Sequence, residues 1–469
     1  MNAFVTLETA STSSASEAWL VARGASDKAH LRTFEARRAA LESLRSLFRA
    51  NETRMAEALH ADMGRSAAEA WTAELTTLDG EIGHALKHLG AWTKHARAGV
   101  PLKLWPARAS IRYEPKGAVL VIGAWNLPFA VTLAPAVAAI AAGNSVVCKP
   151  SELAPQSARV MRELVERHCD PQVLQVVTGE VETTRALLSH RWDHVFFTGG
   201  GEVGKKVAVA AAEHGTPTTL ELGGKCAAYV HKSADIAVAA KRIAWGKFMN
   251  AGQVCIAPDY AIVDRHVQPA FEDALTEAVE HFYGEDPAAA ADYARIVNER
   301  HFDRIVAMMD ASPGRTVLGG THDRETRYIA PTVVSEPAPD SPLGTEEVFG
   351  PVLPLFGVDD EHEALARIAT LPSPLAVYPF AKDKRVLALF EDKCRAGAVV
   401  SNDVVVNHAV RSLPFGGVGA SGHGVYHGIH GFRTFSHAKA VLRRGTGSDP
   451  ALRYPPYTAS KLKWLRRLG

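Results

Sequence analysis

His-Val-Phe-Phe-Thr-Gly-Gly-Gly-Glu-Val-Gly, residues 194–204, is the stretch that decides how the rest of this sequence is interpreted. Its mostly apolar beginning has the length of a short strand, and a helical pattern starts near Gly201, directly after the glycine turn. The segment from Gly199 to Gly204 also matches G-x-G-x-x-G, a turn that lets a diphosphate approach the N-terminus of a helix. Taken alone the motif is weak, because a plain tight turn would need the same glycines. The order of strand, glycine turn and helix predicts one unit of a parallel α/β sheet.

The same alternation of strands and helices continues on both sides of this unit. Short apolar strands are predicted at residues 118–122, 145–148, 173–176, 194–197 and 218–220, with helices beginning near residues 128, 154, 182 and 201. Such a pattern predicts a parallel sheet that is covered on both faces and binds ligands at the carboxyl ends of its strands. Those ends hold residues 125–126, 149–152 and 198–201.

Other regions flank this sheet in the sequence. Residues 1–25 are rich in Ser, Thr and Ala, and we expect them to be loosely ordered. Helical spacing of apolar residues follows over 28–63 and over about 67–96. A second α/β region is predicted from about residue 225 to 434. Its strands include 227–230, 260–263, 316–318, 332–334, 353–356, 376–380 and 398–401.

Length, charge and cysteine content exclude several classes of protein. At 469 residues the chain is long enough for two or three domains. Its 52 basic and 51 acidic residues give a formal net charge of +1, which provides no long-range attraction for nucleic acid or an anionic membrane. The five cysteines are odd in number and are not spaced as a metal knuckle. This pattern argues against a disulfide framework and structural zinc, and favours a reducing compartment.

Neither a membrane segment nor a metal site is expected from the sequence. The longest mostly apolar stretch, residues 130–142, is broken by Pro135 and is too short to span a bilayer. No basic segment followed by an apolar one opens the sequence, so we expect a cytoplasmic protein. His423, His427 and His430 lie among glycines, which form helices poorly, so we do not expect them to bind a metal.

Two residues could carry covalent chemistry. Cys255 lies in Gly-Gln-Val-Cys-Ile-Ala-Pro, and Glu221 lies in Leu-Glu-Leu-Gly-Gly-Lys. A cysteine nucleophile and a carboxylate base together can form and then hydrolyse a thioester. Considered singly, Cys255 is more simply explained as a small buried hydrophobic residue. Glu221 could also be the acidic partner of the glycine motif.

Three polar residues at the predicted strand ends have two interpretations each. Asn126 could stabilise an oxyanion, or it could cap the helix that begins near residue 128. Lys149 and Glu152 could bind ribose hydroxyls or phosphate, or they could be two solvated charges in a loop.

The order of motifs along the chain resembles that of the aldehyde dehydrogenase superfamily over nearly the full length. The matching segments are EPKG (114–117), AWNLP (124–128), KPSE (149–152), FTG (197–199), LELGGK (220–225), GQVC (252–255), EEVFGP (346–351) and PFGGVGASG (414–422). The chain is most similar to the class 3 branch, which includes fatty, aromatic and coniferyl aldehyde dehydrogenases, through CIAPDY (255–260), YHG (426–428) and RYPPY (453–457). Two positions depart from the family's pattern. Gly200 stands where a hydroxyl residue is usual, and Ala124 stands where proline is usual.

The resemblance implies a role for each matched position. Cys255 would be the nucleophile and Glu221 the general base, while Asn126 and the Cys255 backbone N–H would form the oxyanion hole. On the cofactor side, Lys149 and Glu152 would hold the adenosine ribose, Glu347 the nicotinamide ribose with Phe349 nearby, and the turn with Thr198, Gly199, Gly200 and Gly204 would approach the pyrophosphate.

The resemblance also implies an activity and an architecture. The activity would be NAD(P)-dependent oxidation of an apolar aliphatic or aromatic aldehyde to its acid. We expect NAD to be preferred and NADP tolerated, because the Glu152 carboxylate would repel a 2′-phosphate. The assembly would be a homodimer. The α/β fold would comprise a Rossmann-like NAD(P)-binding domain (1–101 and 115–222), a catalytic domain (223–434), bridging segments for oligomerisation (102–114 and 435–448) and a C-terminal tail (449–469).

Two other functions remain open at this point. A CoA-acylating dehydrogenase would not need the hydrolytic base, so the presence of Glu221 argues against it. A non-catalytic binding or scaffold protein would not need the nucleophile, base and amide together. An apolar substrate is suggested by candidate wall residues of the pocket, namely Trp71, Trp125, Leu127, Met249 and Ile256.

Overall fold

The structure is a computed structural model that describes residues 2–101, 104–447 and 449–468. It has an α/β fold with two large sheets. The strands are β1 Ala96–Ala98, β2 Arg108–Pro115, β3 Ala118–Ile122, β4 Ser145–Lys149, β5 Leu174–Val176, β6 His194–Gly199, β7 Thr218–Leu222, β8 Ala227–Val230, β9 Tyr260–Asp264, β10 Arg315–Leu318, β11 His322–Asp323, β12 Tyr328–Ile329, β13 Thr332–Ser335, β14 Val352–Val358, β15 Ala376–Phe380, β16 Ala398–Val399, β17 Gly422–His423 and β18 Ser436–Arg443.

The helices cover both large sheets and connect their strands. They are α1 Asn2–Asp27, α2 Phe34–Ala50, α3 Glu52–Met63, α4 Ala67–Ala70, α5 Thr76–Trp92, α6 Pro128–Ala142, α7 Pro155–His168, α8 Val181–Leu188, α9 Gly201–Glu213, α10 Ile236–Phe248, α11 Gln268–Tyr283, α12 Glu299–Asp310, α13 Pro342–Thr345, α14 Glu361–Ala369, α15 Lys384–Lys393, α16 Gly428–Thr434 and α17 Ala459–Leu468.

The first large sheet has six strands in the order β17-β7-β6-β3-β4-β5. Strands β3 to β7 are parallel, as predicted, and their carboxyl ends lie along one edge. Strand β3 is fully buried and rich in Val, Leu and Ile, which is the composition that a sheet covered on both faces requires. The short strand β17 comes from much later in the chain and pairs antiparallel with β7.

The second large sheet has seven strands in the order β10-β13-β14-β9-β8-β15-β16. It is parallel except for β10, which pairs antiparallel with β13. Strand β8 begins only a few residues after β7 ends. The two sheets therefore meet at Gly223, Gly224 and Lys225.

A smaller sheet in the order β1-β2-β18 stands apart from the two large ones. Strand β18 forms one of its edges, and most of its side chains are exposed. The predicted bridging segment 102–114 begins with Leu102 and Lys103, which lie outside the described residues. Strands β11 and β12 form a separate hairpin.

The expectation of a loosely ordered N-terminus is wrong. Residues 2–27 form helix α1, in which Ala15, Ala18 and Ala22 are buried. These alanines join a core cluster with Leu120 and Trp192 beneath the first sheet. The Ser- and Thr-rich composition suggested disorder, but alanine has the highest helix propensity and its small side chain permits close packing.

The helical region predicted over about 67–96 contains a local irregularity. A π-helical turn, Trp71–Leu75, separates α4 from α5 and buries Glu74. Such turns occur often at functional sites. Among the described residues, none of the helices has both the length and the apolar character needed to cross a bilayer.

Candidate active site

The predicted catalytic residues come together where the two large sheets meet. Glu221 lies in β7, where its Cα pairs with that of Thr198 in β6. Asn126 follows β3, and Cys255 lies in the loop between the short 3-10 helix Met249–Gly252 and β9. Residues from three separate parts of the chain therefore border one site.

An apolar cavity opens on one side of Cys255. Most of its wall is aliphatic or aromatic, and it is built from helices α5 and α6, strands β6 and β7 of the first sheet, and the loops around Cys255, Val405 and Phe415. The lining residues are Ala73, Thr77, Leu127, Ala130, Val131, Ala134, Thr198, Glu221, Leu222, Met249, Val254, Cys255, Ile256, Val405, His408, Phe415, Tyr426 and His427.

A second, more polar cavity lies on the other side of Cys255. Its lining residues are Ala124, Trp125, Asn126, Thr198, Gly199, Gly200, Glu221, Leu222, Gly223, Cys255, His301, Arg304, Glu347 and Phe349. Cys255 and Glu221 line both cavities. A molecule in the apolar cavity and another in the polar cavity would therefore meet at these two residues.

Glu221 is a buried carboxylate without a neutralising neighbour. Its exposed fraction is 4%, and neither of its oxygens has a hydrogen-bond partner among the described residues. Burial raises the pKa of this carboxyl well above its ordinary value, because desolvation penalises the charged form. A carboxyl with a raised pKa and free oxygens is suited to accept a proton from a thiol or from water.

Cys255 is partly exposed and faces the same desolvated space. Burial, and then the charges of Glu221 and Glu347, raise the pKa of its thiol to about 12. The neighbouring Cys226 thiol donates a hydrogen bond to the Cys255 carbonyl oxygen at 3.5 Å. Cys148 and Cys226 are buried, which leaves Cys255 as a cysteine with access to both cavities.

The Asn126 amide points toward the segment that precedes Cys255. Its Nδ2 donates to the carbonyl oxygen of Gln253 at 3.1 Å, which uses one of the two N–H groups. The alternative role as a helix cap is not supported, since Leu127 is the N-cap of α6. The backbone N–H groups of Phe129 and Ala130 are instead capped by the Glu74 carboxylate.

Lys149 and Glu152 form an ion pair at the carboxyl end of β4, with 2.6 Å between Lys149 Nζ and Glu152 Oε2. Gly199 and Gly200 border the polar cavity just before α9. At Gly200 no atom lies within 4 Å of the position that a Cβ would take, so the N-terminus of this helix is open. Gly204 differs, because it is buried and its Cβ would meet Leu222 Cδ2 at 2.7 Å. Gly204 thus permits close packing of helix on strand.

Glu347 reaches the polar cavity from the loop before β14. Its Oε1 accepts a hydrogen bond from the Gly224 backbone N–H at 2.8 Å. Burial, followed by the nearby charge of Asp259, raises the pKa of this carboxyl to about 7. Phe349 lies beside it and packs edge-on against Trp125, with 5.4 Å between ring centroids.

Several residues of the site carried no signal in the sequence. His301 and Arg304 of α12 line the polar cavity, and Arg304 donates to the carbonyl oxygens of Glu347 and Val348. Their helical spacing resembles that of any amphipathic surface helix. Of the candidate wall residues, Leu127, Met249 and Ile256 line the apolar cavity and Trp125 lines the polar one, whereas Trp71 is exposed and lines neither.

The described part of the chain contains no group of three or more His, Cys, Asp or Glu side chains arranged to hold a metal ion. His427 instead packs against Phe415 and Tyr426 at the wall of the apolar cavity. The polar groups of the site are therefore an amide, backbone N–H groups, His301, Arg304 and the carboxylates of Glu221 and Glu347.

Comparison with known proteins gives a consistent result. A family model described as the aldehyde dehydrogenase family matches residues 2–441. Aldehyde dehydrogenase family 3 member A2 from Rattus norvegicus is 42% identical over 90% of this chain and 88% of its own length. The dimeric NADP-preferring aldehyde dehydrogenase of Canis lupus familiaris is 41% identical over 93% and 97%. A solved structure, the substrate-bound state of Staphylococcus aureus AldH, superposes with a TM-score of 0.94 at 37% identity, covering 96% of this chain and 98% of that one.

The raised pKa of Cys255 predicts how the cofactor-free protein reacts with iodoacetamide. Since the thiol is protonated below its raised pKa, the thiolate fraction and the alkylation rate should rise about tenfold per pH unit between about pH 7 and pH 10. The rate is measured by mass spectrometry of the peptide that contains Cys255, with Cys255→Ala as the control for labelling at the other cysteines. A rate that reaches a plateau at neutral pH would contradict the prediction.

Proposed function

This chain belongs to the aldehyde dehydrogenase family, and from this premise we propose how its residues divide the work of oxidising an aldehyde. The enzyme oxidises aldehydes to carboxylic acids with NAD(P). The observation that carries the proposed mechanism is that Cys255 and Glu221 both line the junction of the apolar and polar cavities. A nucleophile and a base at one junction can act on the same carbonyl carbon in succession.

The first step is attack by the Cys255 sulfur on the aldehyde carbon, with the thiol proton passing to the unpartnered Glu221 carboxylate. The Asn126 amide and the Cys255 backbone N–H hold the oxyanion of the resulting thiohemiacetal. One such donor is typically worth about 3 kcal/mol. Nicotinamide cofactor, when bound, supplies the acceptor for the hydride. After the first proton has passed from Glu221 to solvent, Glu221 takes a proton from the water that hydrolyses the thioester and returns it to the departing Cys255 sulfur, which releases the acid and regenerates the thiol.

The residues of the polar cavity fit a nicotinamide dinucleotide. The open N-terminus of α9 offers backbone N–H groups for a diphosphate next to Thr198, Gly199 and Gly200. Because Gly200 lacks a hydroxyl, these backbone groups replace a side-chain contact. We assign the Lys149–Glu152 pair to the adenosine ribose.

The other end of the dinucleotide would be held by Glu347 and Phe349. We assign Glu347 to the nicotinamide ribose, with Phe349 packed against that end of the cofactor. The carboxylate oxygen Oε1 is fixed by the Gly224 N–H, which leaves Oε2 free to accept from a ribose hydroxyl. We assign Gly204 to the packing that brings α9 close to β7, which supports the diphosphate turn indirectly.

We propose an apolar aliphatic or aromatic aldehyde as the substrate. Leu127, Met249, Ile256 and Phe415 give the cavity beside Cys255 an apolar wall that suits such a chain. Steady-state kinetics with aliphatic, aromatic and cinnamyl-type aldehydes would rank the candidates within this class.

Replacing the proposed base should slow both halves of the reaction. In Glu221→Gln we expect the burst of about one NADH per subunit to form more slowly, because the Cys255 thiol loses its proton acceptor, and turnover to fall by about 10²–10⁴-fold, because thioester hydrolysis loses its base. The burst is measured by stopped-flow absorbance of NADH. Cys255→Ala should give no burst.

Glu272→Gln is the matched control, since Glu272 is buried but lines neither cavity. Full turnover by Glu221→Gln would exclude Glu221 as the base. Formation of acyl-CoA on addition of CoA, in place of the free acid, would favour the CoA-acylating alternative.

We propose that NAD is preferred over NADP because the Glu152 carboxylate, which we assign to the adenosine ribose, would repel a 2′-phosphate. In Glu152→Gln the ratio of kcat/KM for NADP to that for NAD should rise about tenfold, which corresponds to about 1.4 kcal/mol of like-charge repulsion. Glu166→Gln, at an exposed position of α7, is the control and should leave the ratio unchanged. An unchanged ratio in Glu152→Gln would remove Glu152 from the cofactor selection.

We propose that the enzyme forms a homodimer. The exposed edge strand β18 can pair with a second copy, and an uncovered strand edge is unfavourable for a monomer. One relative is described as dimeric. Light scattering should give twice the mass of the chain, and a monomer or tetramer would contradict this assignment.

We further propose a cytoplasmic location, since the five free cysteines include a nucleophile that must stay reduced. The domain division proposed is the NAD(P)-binding domain at 1–101 and 115–222, the catalytic domain at 223–434, bridging segments at 102–114 and 435–448, and a tail at 449–469. Strand β17 crosses this division, because it lies within 223–434 but pairs with β7.

A further inference from the structure

Arg65 is a charged residue at the centre of the molecule that lines neither cavity. Its side chain is fully buried and forms an ion pair with Glu74, which is equally buried. The other Glu74 oxygen accepts from the backbone N–H groups of Phe129 at 2.8 Å and Ala130 at 3.0 Å. The pair therefore joins the end of the π-helical turn to the beginning of α6, just after Asn126.

The remaining Arg65 nitrogens reach the segments that carry the oxyanion hole. One terminal nitrogen donates to the Asn126 carbonyl oxygen, and Nε donates to Asn250 Oδ1 at 2.7 Å. The Asn250 amide in turn donates to the carbonyl oxygens of Asn126 at 3.0 Å and Gln253 at 3.1 Å. The Gln253 carbonyl is the acceptor that also holds the Asn126 side-chain amide.

These contacts form a closed network around Asn126 and the segment that leads to Cys255. They hold Asn250 and Ala251 in the left-handed region, with φ of 50° and 49°, which non-glycine residues adopt only when the surroundings enforce it. A planar guanidinium can donate in three fixed directions at once, and a lysine ammonium cannot reproduce this geometry.

We propose that Arg65, with its charge balanced by Glu74, is a positioning residue that aims the Asn126 amide at the substrate oxygen. The proposal rests on the proposed role of Asn126 in the oxyanion hole. Arg65 fixes the Asn126 carbonyl, and Asn250 fixes the acceptor of the Asn126 side chain. The second N–H of that amide is then directed into the polar cavity beside Cys255.

Misplacing the amide should affect the chemical step more than cofactor binding. A shift of about 1 Å in a reacting or stabilising group can lower the rate about 100-fold. The hydrogen bonds and ion pair of Arg65 and Glu74 involve none of the proposed cofactor residues Glu347, Lys149 and Glu152, so the affinity for NAD should stay the same.

The test is a double-mutant cycle with Asn126→Ala, measured as kcat/KM for the aldehyde. Arg65→Lys keeps the positive charge beside Glu74 but loses the planar guanidinium with its several N–H donors. In the otherwise unchanged enzyme we expect this substitution to lower kcat/KM about tenfold or more. In the Asn126→Ala background the same substitution should change kcat/KM less than about twofold, because the group that Arg65 positions is already absent. NAD affinity is followed by fluorescence in each variant.

The matched control is Arg37→Lys, at another buried arginine, which holds the carbonyl oxygens of Leu31 and Ala141 at a site that lines neither cavity. Arg37→Lys should lower Tm, and its effect should be the same whether or not Asn126→Ala is also present. If Arg65→Lys does not fold, the cycle is run with Arg65→Gln/Glu74→Gln, which removes both buried charges together. A third route is Asn250→Ser, which leaves the ion pair intact and removes the second donor to the Asn126 carbonyl.

The positioning role would be overturned if the Arg65 substitution lowered kcat/KM equally in both backgrounds, or did not lower it at all. In that case, a decrease in kcat/KM of about 100-fold or more in Asn126→Ala alone would still support the role of Asn126 in the oxyanion hole. A fully active Asn126→Ala would overturn the role of Asn126 and the positioning role with it. The two failures are therefore distinguishable.

Discussion

The short passage between β7 and β8 is the constraint on which the rest of the site depends. The chain leaves one sheet and enters the other within it, and Glu221, at one end, is fixed by pairing with β6 and β17 in the first sheet. At Gly223 a Cβ would lie 2.3 Å from Glu347 Oε2, and the next residue, Gly224, donates its N–H to Glu347 at φ +156°. Lys225 closes the passage through an ion pair with Asp259 at 2.6 Å. Because Asp259 follows Cys255 closely in sequence, this single connection sets Glu221, Cys255 and the Glu347 loop relative to one another.

The site concentrates buried charge that a protein selected for stability alone would avoid. The Arg65–Glu74 and Lys225–Asp259 pairs are both desolvated, and such pairs add little net stability compared with apolar residues of the same shape. These pairs instead fix the orientation of their side chains. Each charge must stay beside its partner, since separating the two would leave an uncompensated buried charge. Glu221 is a more unfavourable case than these pairs, since it is buried and its carboxylate has no hydrogen-bond partner among the described residues. Its unfavourable burial is tolerated because the surrounding sheets hold it in place.

The sequence predicted the local elements of the fold well and the long-range contacts poorly. The apolar runs that became β3, β4 and β6 have a composition and length that fix their structure locally, and the glycines after β6 fix the turn. Helix α1 was missed because its alanine face looks like low-complexity sequence until it is packed. The contact of Arg65 with Asn126 joins distant parts of the chain and leaves no periodic pattern. The motifs predicted Asn126, Glu221 and Cys255, which line the cavities, but could not separate Gly204, which packs on Leu222, from the glycines that border the polar cavity.

The two cavities place different environments on the two sides of Cys255. The apolar side lets an aldehyde chain pack closely and carries few polar groups. Because the dielectric is low there, electrostatic interactions at the Cys255 sulfur are stronger than in water. The polar side carries Asn126, Arg304 and Glu347, which give water the hydrogen-bond partners that it needs. Glu221 borders both, so its carboxylate can face the thiol and also a water on the polar side while the substrate chain stays in position. A permanent hydrogen bond to this carboxylate would lower its pKa, weaken it as a base and occupy an oxygen that the water requires. Under the proposed mechanism, the absence of a partner, which is unfavourable for stability, is therefore what would allow one residue to accept protons in both halves of the reaction.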